Sequence, residues 1–126
     1  MNTPAPDVDT GIVLFAHGSR DALWRLPIEA VAAQIRQRAS HVPVRCAYLE
    51  LCAPDLATAA TELIAAGARK IRIFPVFLGV GKHAREDLPH LVAQLRVQHP
   101  DTLFELMATA GEHPALIDLL AHLALQ

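Results

Sequence analysis

Gly11-Ile12-Val13-Leu14-Phe15-Ala16-His17-Gly18-Ser19-Arg20 is the stretch on which the fold turns. The apolar run Ile12–Ala16 is too short for a helix and opens with β-branched types, so it predicts a strand buried on both faces. The run stops at a histidine followed by Gly-Ser-Arg. A buried strand that delivers a titratable side chain at its carboxyl end is how open α/β sheets build their ligand sites. A histidine there is either part of such a site or a structural residue bonding loop backbone. The difference lies in whether the chain brings partners to it.

Working outward, three further apolar runs alternate with amphipathic stretches. Strands are expected at Ile12–Ala16, Val42–Leu49, Lys70–Phe74 and Thr102–Met107. Helices are expected at Pro27–Ala39, Pro54–Ala66, Leu88–Gln98 and Pro114–Leu125, each with apolar residues at helical spacing. Pro27, Pro54, Pro89 and Pro114 stand near the four helix starts, where the missing N–H costs nothing. Gly67 sits where a glycine ends a helix. Strict β-α alternation implies right-handed crossovers and a parallel sheet with helices on both faces. The expected fold is a flavodoxin-like, three-layer α/β sandwich with a four-stranded parallel sheet. The connections after strands one and three, His17–Leu26 and Pro75–Asp87, are longer than the usual 2–6 residues or so, and both lie at the carboxyl edge.

Composition narrows the function. The 126 residues are 52% apolar, 5% aromatic and 19% charged. This suits one domain, residues 11–126, with a core of Ala, Leu, Val and Ile and a disordered tail at 1–10. So little charge on a small domain points to surface hidden in a homo-oligomer. A formal charge of -2 argues against a nucleic-acid partner. No apolar run approaches the roughly 20 residues that span a bilayer, so no membrane partner is expected. Met1–Asp7 lacks the basic and apolar regions of a secretory signal. Cys46 and Cys52 match no zinc spacing and read as reduced cysteines in or near the core of a cytoplasmic protein.

Of the 7 histidines, His41 and His99 fall at the opposite edge of the sheet, and His90 and His122 fall within helices. His17, His83 and His113 come from three strand-to-helix loops, and Glu50 from the end of strand two. Imidazole and carboxylate together suit a divalent transition metal, and equally proton transfer near neutral pH. Each has a plain alternative: a solvated loop residue for His83, a helix cap for Glu50, a shaped helix start for His113. Gly79–Ala84 matches G-x-G-x-x-[GA] but follows the third strand rather than the first. Asp101 precedes a strand instead of ending one, so dinucleotide binding is disfavoured. A phosphoryl-accepting histidine would want an arginine where Ala16 stands. Arg20, Arg25, Lys82 and Arg85 gather in the two long loops and suggest a polyanionic small ligand, with ordinary surface charge as the alternative. Trp24 is either a packing residue or a flat wall for a planar ligand.

Taken together, His17-Gly18-Ser19-Arg20, Tyr48-Leu49-Glu50-Leu51 with Pro54, Pro75-Val76-Phe77-Leu78 with Gly81 and His83, Asp87-Leu88-Pro89 and Gly111-Glu112-His113-Pro114 resemble the CbiX/SirB family of class II chelatases. The resemblance spans about residues 11 to 124 and matches the short, single-domain form, which implies a homodimer. It implies the chelatase fold and insertion of Co²⁺ or Fe²⁺ into sirohydrochlorin, towards cobalamin or sirohaem, with the metal as substrate and no permanently bound cofactor. The metal-handling histidines carry over to His17 and His83, with Glu50 at an acidic position beside them. Ser19, Arg20, Trp24, Gly81, Lys82 and Arg85 become candidate contacts to the macrocycle, which is planar and rich in carboxylates. A chelatase for Ni²⁺, a tetrapyrrole or metal carrier without turnover, and a nucleotide-binding module are the competing readings. Since a metal binds only neutral imidazole, activity is expected to fall on acidification.

Overall fold

β1 (Thr10–Ala16) occupies the middle of a four-stranded sheet, between β2 (Val44–Tyr48) and β3 (Lys70–Pro75), with β4 (Leu103–Leu106) outside β3. The computed structural model describes residues 9–126. Every pairing is parallel. Four helices connect or follow the strands: α1 (Leu26–Arg38), α2 (Leu56–Ala65), α3 (Lys82–Gln98) and α4 (Pro114–Ala124). Because β1 has a neighbour on each side and a helix layer above and below, Val13, Leu14 and Phe15 are all at most 1% exposed.

Successive strand residues point to opposite faces and thereby divide the core in two. One face packs Val13, Phe15, Ala47, Ile71, Ile73 and Phe104 against α2 and α3 through Leu63, Val92 and Leu95. The other packs Leu14, Ala16, Val44 and Tyr48 against Ile28 and Ala32 of α1. Each fully buried Leu or Ile is worth about 1.5–3 kcal/mol, so the larger α2/α3 layer holds most of the fold. Beyond β1 the α1 face turns ionic: Arg72, 6% exposed, lies 2.8 Å from Glu105 on the neighbouring strand. α4 has no buried residue and rests chiefly on a short 3-10 turn at Ala110–Glu112.

The expected α/β architecture is present, with local corrections. α3 begins at Lys82, not Leu88, and Pro89 lies inside it. A proline within a helix gives up one backbone hydrogen bond, a loss that the long, amphipathic α3 tolerates. Pro54 precedes α2 rather than opening it, and Asp55 caps the helix by accepting from the Thr58 N–H at 2.8 Å. Pro43, with no N–H to donate, defers β2 to Val44. The first loop is not irregular throughout: Asp21 caps a 3-10 helix at Ala22–Arg25 by accepting from the Leu23 N–H. Of the tail expected at 1–10, residues 1–8 lie outside the described residues. Thr10 belongs to β1, and the Asp9 carbonyl accepts from the Arg69 N–H.

Candidate functional site

The chain leaves β1 at the point where its strand order reverses, since β2 lies on one side of β1 and β3 on the other. Ligands of open α/β sheets bind in the crevice that this switch creates. Ala16 stands opposite Tyr48 in the register, so His17 emerges at the end of β2. Backbone pairing continues one step past the strands: Leu49 N–H donates to the Ala16 carbonyl at 2.9 Å, and Glu50 N–H to the His17 carbonyl at 3.1 Å. These bonds bring the two side chains together. His17 Nε2 lies 2.9 Å from Glu50 Oε1, each side chain 52% exposed.

Gly18 makes this approach possible. Its φ is +108°, and a Cβ there would stand 1.8 Å from the Glu50 carbonyl oxygen. Leu51, on the other side of Glu50, takes φ 70°, the left-handed region that costs a side-chain-bearing residue about 1–2 kcal/mol. Both distortions flank the His17–Glu50 pair, where backbone strain commonly marks function. Glu50 is thus a partner of His17 and not a helix cap; Asp55 does the capping.

His83 is carried on the first turn of α3 and not on a loop. Its ring is 86% exposed, with Nε2 3.0 Å from Asp87 Oδ2 one helical turn on. Lys82 and Arg85 share that turn, which holds no acidic residue. Cations at a helix N-terminus oppose the helix dipole, so helix stability does not explain this turn. Gly81 caps α3 in an ordinary extended conformation, and neither Gly79 nor Gly81 would meet anything within 4 Å if it bore a Cβ. The glycines of the G-x-G-x-x-[GA] match are therefore not demanded by any close approach within the chain, unlike Gly18.

Ala16, the residue before His17, lines an apolar cleft of about 420 Å³ together with Leu23, Trp24, Pro27, Ile28, Val31 and Val76. Trp24 is 41% exposed and tilts towards Tyr48, ring centres 6.3 Å apart. It packs on Tyr48 and also lines the cleft. Burial pushes the Tyr48 phenol up to about 12, with Cys46 adding to the effect. Burial likewise raises the Cys46 thiol, which disfavours its thiolate. Ser19 accepts from the Asp21 N–H at 3.0 Å and so shapes the first loop; Arg20 is exposed beside it. His113 packs edge-on against Phe74, ring centres 5.7 Å apart, and its buried Nε2 has no hydrogen-bond partner among the described residues.

Of the sequence-derived residues, His17 pairs with Glu50, while His83 pairs with Asp87, which the sequence had not singled out as a partner. Among the described residues, no group of three or more His, Cys, Asp and Glu is close enough to hold a metal ion. Asp87 escaped notice as a partner because its four-residue offset from His83 counts only when the helix starts at Lys82. Such pairs can donate imidazole nitrogen and carboxylate oxygen to a transition metal, or accept protons from an adjacent ligand.

Comparison with known proteins gives a consistent picture. The CbiX family model matches residues 11–126. A sirohydrochlorin cobaltochelatase of Methanothermobacter thermautotrophicus is 38% identical over 82 residues, 65% of this chain and 57% of that protein. The chloroplastic sirohydrochlorin ferrochelatase of Arabidopsis thaliana is 28% identical over 109 residues, 86% of this chain and 48% of that protein. The chain therefore spans about half the length of these curated relatives. Among solved structures, a putative cobalamin biosynthesis CbiX protein from Marinobacter aquaeolei superposes with a TM-score of 0.78 at 30% identity, covering 91% of this chain and 93% of that one. Bacillus subtilis SirB in complex with cobalt shares the fold, with a TM-score of 0.77 at 22% identity, over 90% of this chain and 49% of its own.

Proposed function

The chain belongs to the CbiX family, and from that premise we propose that it inserts Co²⁺ or Fe²⁺ into sirohydrochlorin, on the way to cobalamin or sirohaem. The observation that carries this reading is the His17–Glu50 pair, Nε2 to Oε1 at 2.9 Å, at the sheet's switch point, with His17 directly following Ala16 of the apolar cleft's lining. Relatives described as sirohydrochlorin cobaltochelatases and a sirohydrochlorin ferrochelatase support the substrate and the reaction class.

In this mechanism the metal is a substrate and no cofactor is permanently bound. His17 and His83 take the ion from water through neutral imidazole nitrogens and present it to one face of the macrocycle. Solvent-exposed ligands suit an ion that must be handed on, because a closed, fully ligated cage would retain it. As the metal replaces the pyrrole N–H protons, Glu50 or a neutral histidine accepts them. The apolar cleft and Trp24 offer area to the flat ring. Arg20, Lys82 and Arg85, with the turn at Ser19 and the α3 cap at Gly81, offer charge and N–H groups to its carboxylates.

The active form in this proposal is a cytoplasmic homodimer. Ile117, Leu119, Leu120 and Leu123 of α4 are each 41–55% exposed, and an apolar helix of this kind is normally covered. Among the described residues, no helix is long and apolar enough to cross a membrane.

The test is to mix purified protein with sirohydrochlorin and Co²⁺, Fe²⁺ or Ni²⁺ in turn and follow the absorption spectrum. The proposal expects many metallated products per chain with Co²⁺ or Fe²⁺. A spectral shift that stops at one equivalent would make the protein a carrier. Turnover with Ni²⁺ alone would make it a nickel chelatase.

A further inference from the structure

The two histidines share a detail that the proposed function does not require. In each, the nitrogen facing a carboxylate is Nε2: 2.9 Å to Glu50 for His17 and 3.0 Å to Asp87 for His83. A carboxylate only accepts hydrogen bonds, so a neutral ring beside it keeps its proton on Nε2 and its lone pair on Nδ1. We propose that Asp87 is a positioning residue for His83, holding the ring by Nε2–H so that Nδ1 is the atom presented to the incoming metal ion. The inference rests on the chelatase reading in that it takes His83 as a metal donor.

Three observations carry it. First, His83 and Asp87 lie one turn apart on the same helix, so the backbone of α3 fixes their separation. Second, the carboxylate sits nearer the body of the protein, 40% exposed against 86% for the ring, so Asp87 is the anchor of the pair. Third, the pair has little structural value. An exposed ion pair at this spacing is worth only about 0.3–0.5 kcal/mol, and neither residue belongs to the core. What a carboxylate does for an exposed histidine here is choose its tautomer and restrict its rotation, as carboxylates behind metal-binding histidines generally do. His17 has the same arrangement, with its carboxylate supplied from the neighbouring strand end instead of the next helical turn.

The test uses Co²⁺ alone, titrated into the purified chain without tetrapyrrole and followed by the visible absorption of the bound ion. Wild type is compared with His83→Ala, Asp87→Ala and Asp87→Asn, and each variant is checked for an unchanged circular dichroism spectrum and urea midpoint. The side-chain oxygen of asparagine can still accept from Nε2–H, whereas alanine cannot. Asp87→Ala is expected to weaken Co²⁺ binding about 10–100-fold and Asp87→Asn to stay close to wild type. In turnover, Asp87→Ala should raise the KM for Co²⁺ and leave that for sirohydrochlorin unchanged. Wild-type affinity in Asp87→Ala overturns the proposal, and so does an Asp87→Asn variant as weak as the alanine, since the negative charge and not the ring position would then matter. If His83→Ala binds Co²⁺ as well as wild type does, His83 is no metal donor and the chelatase assignment of that residue fails first.

Discussion

Replacing Gly18 with alanine should damage the fold and the site together. The residue has φ +108°, a conformation that costs an alanine of the order of 1–3 kcal/mol. The added Cβ would also stand 1.8 Å from the Glu50 carbonyl oxygen, where ordinary contact begins at 3.4 Å, so the two loops must part by roughly 3.4 − 1.8 = 1.6 Å. Such a shift breaks the bond from Glu50 N–H to the His17 carbonyl, now 3.1 Å, at a further cost of about 1 kcal/mol. Together Gly18→Ala should lose about 2–4 kcal/mol in urea unfolding. The same shift separates His17 from Glu50, so metal insertion should fall even at temperatures where the variant stays folded. A variant within about 0.5 kcal/mol of wild type, with normal turnover, would refute the claim that this glycine sets the His17–Glu50 contact.

Other consequences can be checked in the same preparations. Asp55→Ala should cost about 1 kcal/mol by uncapping α2. The hydrogen bond from Thr58 holds the Asp55 carboxyl below its usual range, so its contribution is complete above the pKa of an unfolded aspartate and disappears as pH falls through the lowered value. An Asp55→Ala chain should therefore show a weaker acid dependence of stability than wild type. Tyr48 is the only tyrosine, which allows a direct ultraviolet titration. Its tyrosinate signal should appear near pH 12 while the chain is folded and near the ordinary value of 10 in denaturant. Stability should accordingly decline with rising pH between those two values, because only the unfolded chain gives up the proton there. Glu105→Ala should cost about 1–3 kcal/mol, since it removes the half-buried carboxylate facing the buried Arg72 guanidinium; a loss under about 0.5 kcal/mol would show that solvent already reaches that group.

The features that a short apolar run or a helical repeat controls were legible in the sequence. β1 followed from Ile12–Ala16 because only a central strand can hide both faces, and β-α alternation then fixed a parallel sheet. Topology alone placed His17, Glu50 and His83 at the carboxyl edge of the sheet, and the structure pairs His17 with Glu50 while His83 pairs with Asp87 instead. What escaped detection depended on where helices start and on what covers them. Pro89 stands where a helix start would be natural, yet α3 already runs from Lys82; this hid the His83–Asp87 spacing. The same kind of proline signal at Pro54 overshadowed Asp55, whose side-chain cap is the actual start of α2. α4 reads as an ordinary amphipathic helix, but the exposure of its apolar residues is set by tertiary placement, which has no local sequence pattern. The apolar cleft depends on the 3-10 turn at Ala22–Arg25, which brings Leu23 and Trp24 over Ala16 and Val76.

The central claim is that His17 and His83 together handle the metal, and the most direct measurement is the initial rate of Co²⁺ insertion into sirohydrochlorin by His17→Ala and His83→Ala chains that retain the wild-type circular dichroism spectrum. The account predicts that each loses at least about 100-fold relative to wild type. A folded variant of either kind that inserts cobalt at the wild-type rate would contradict it.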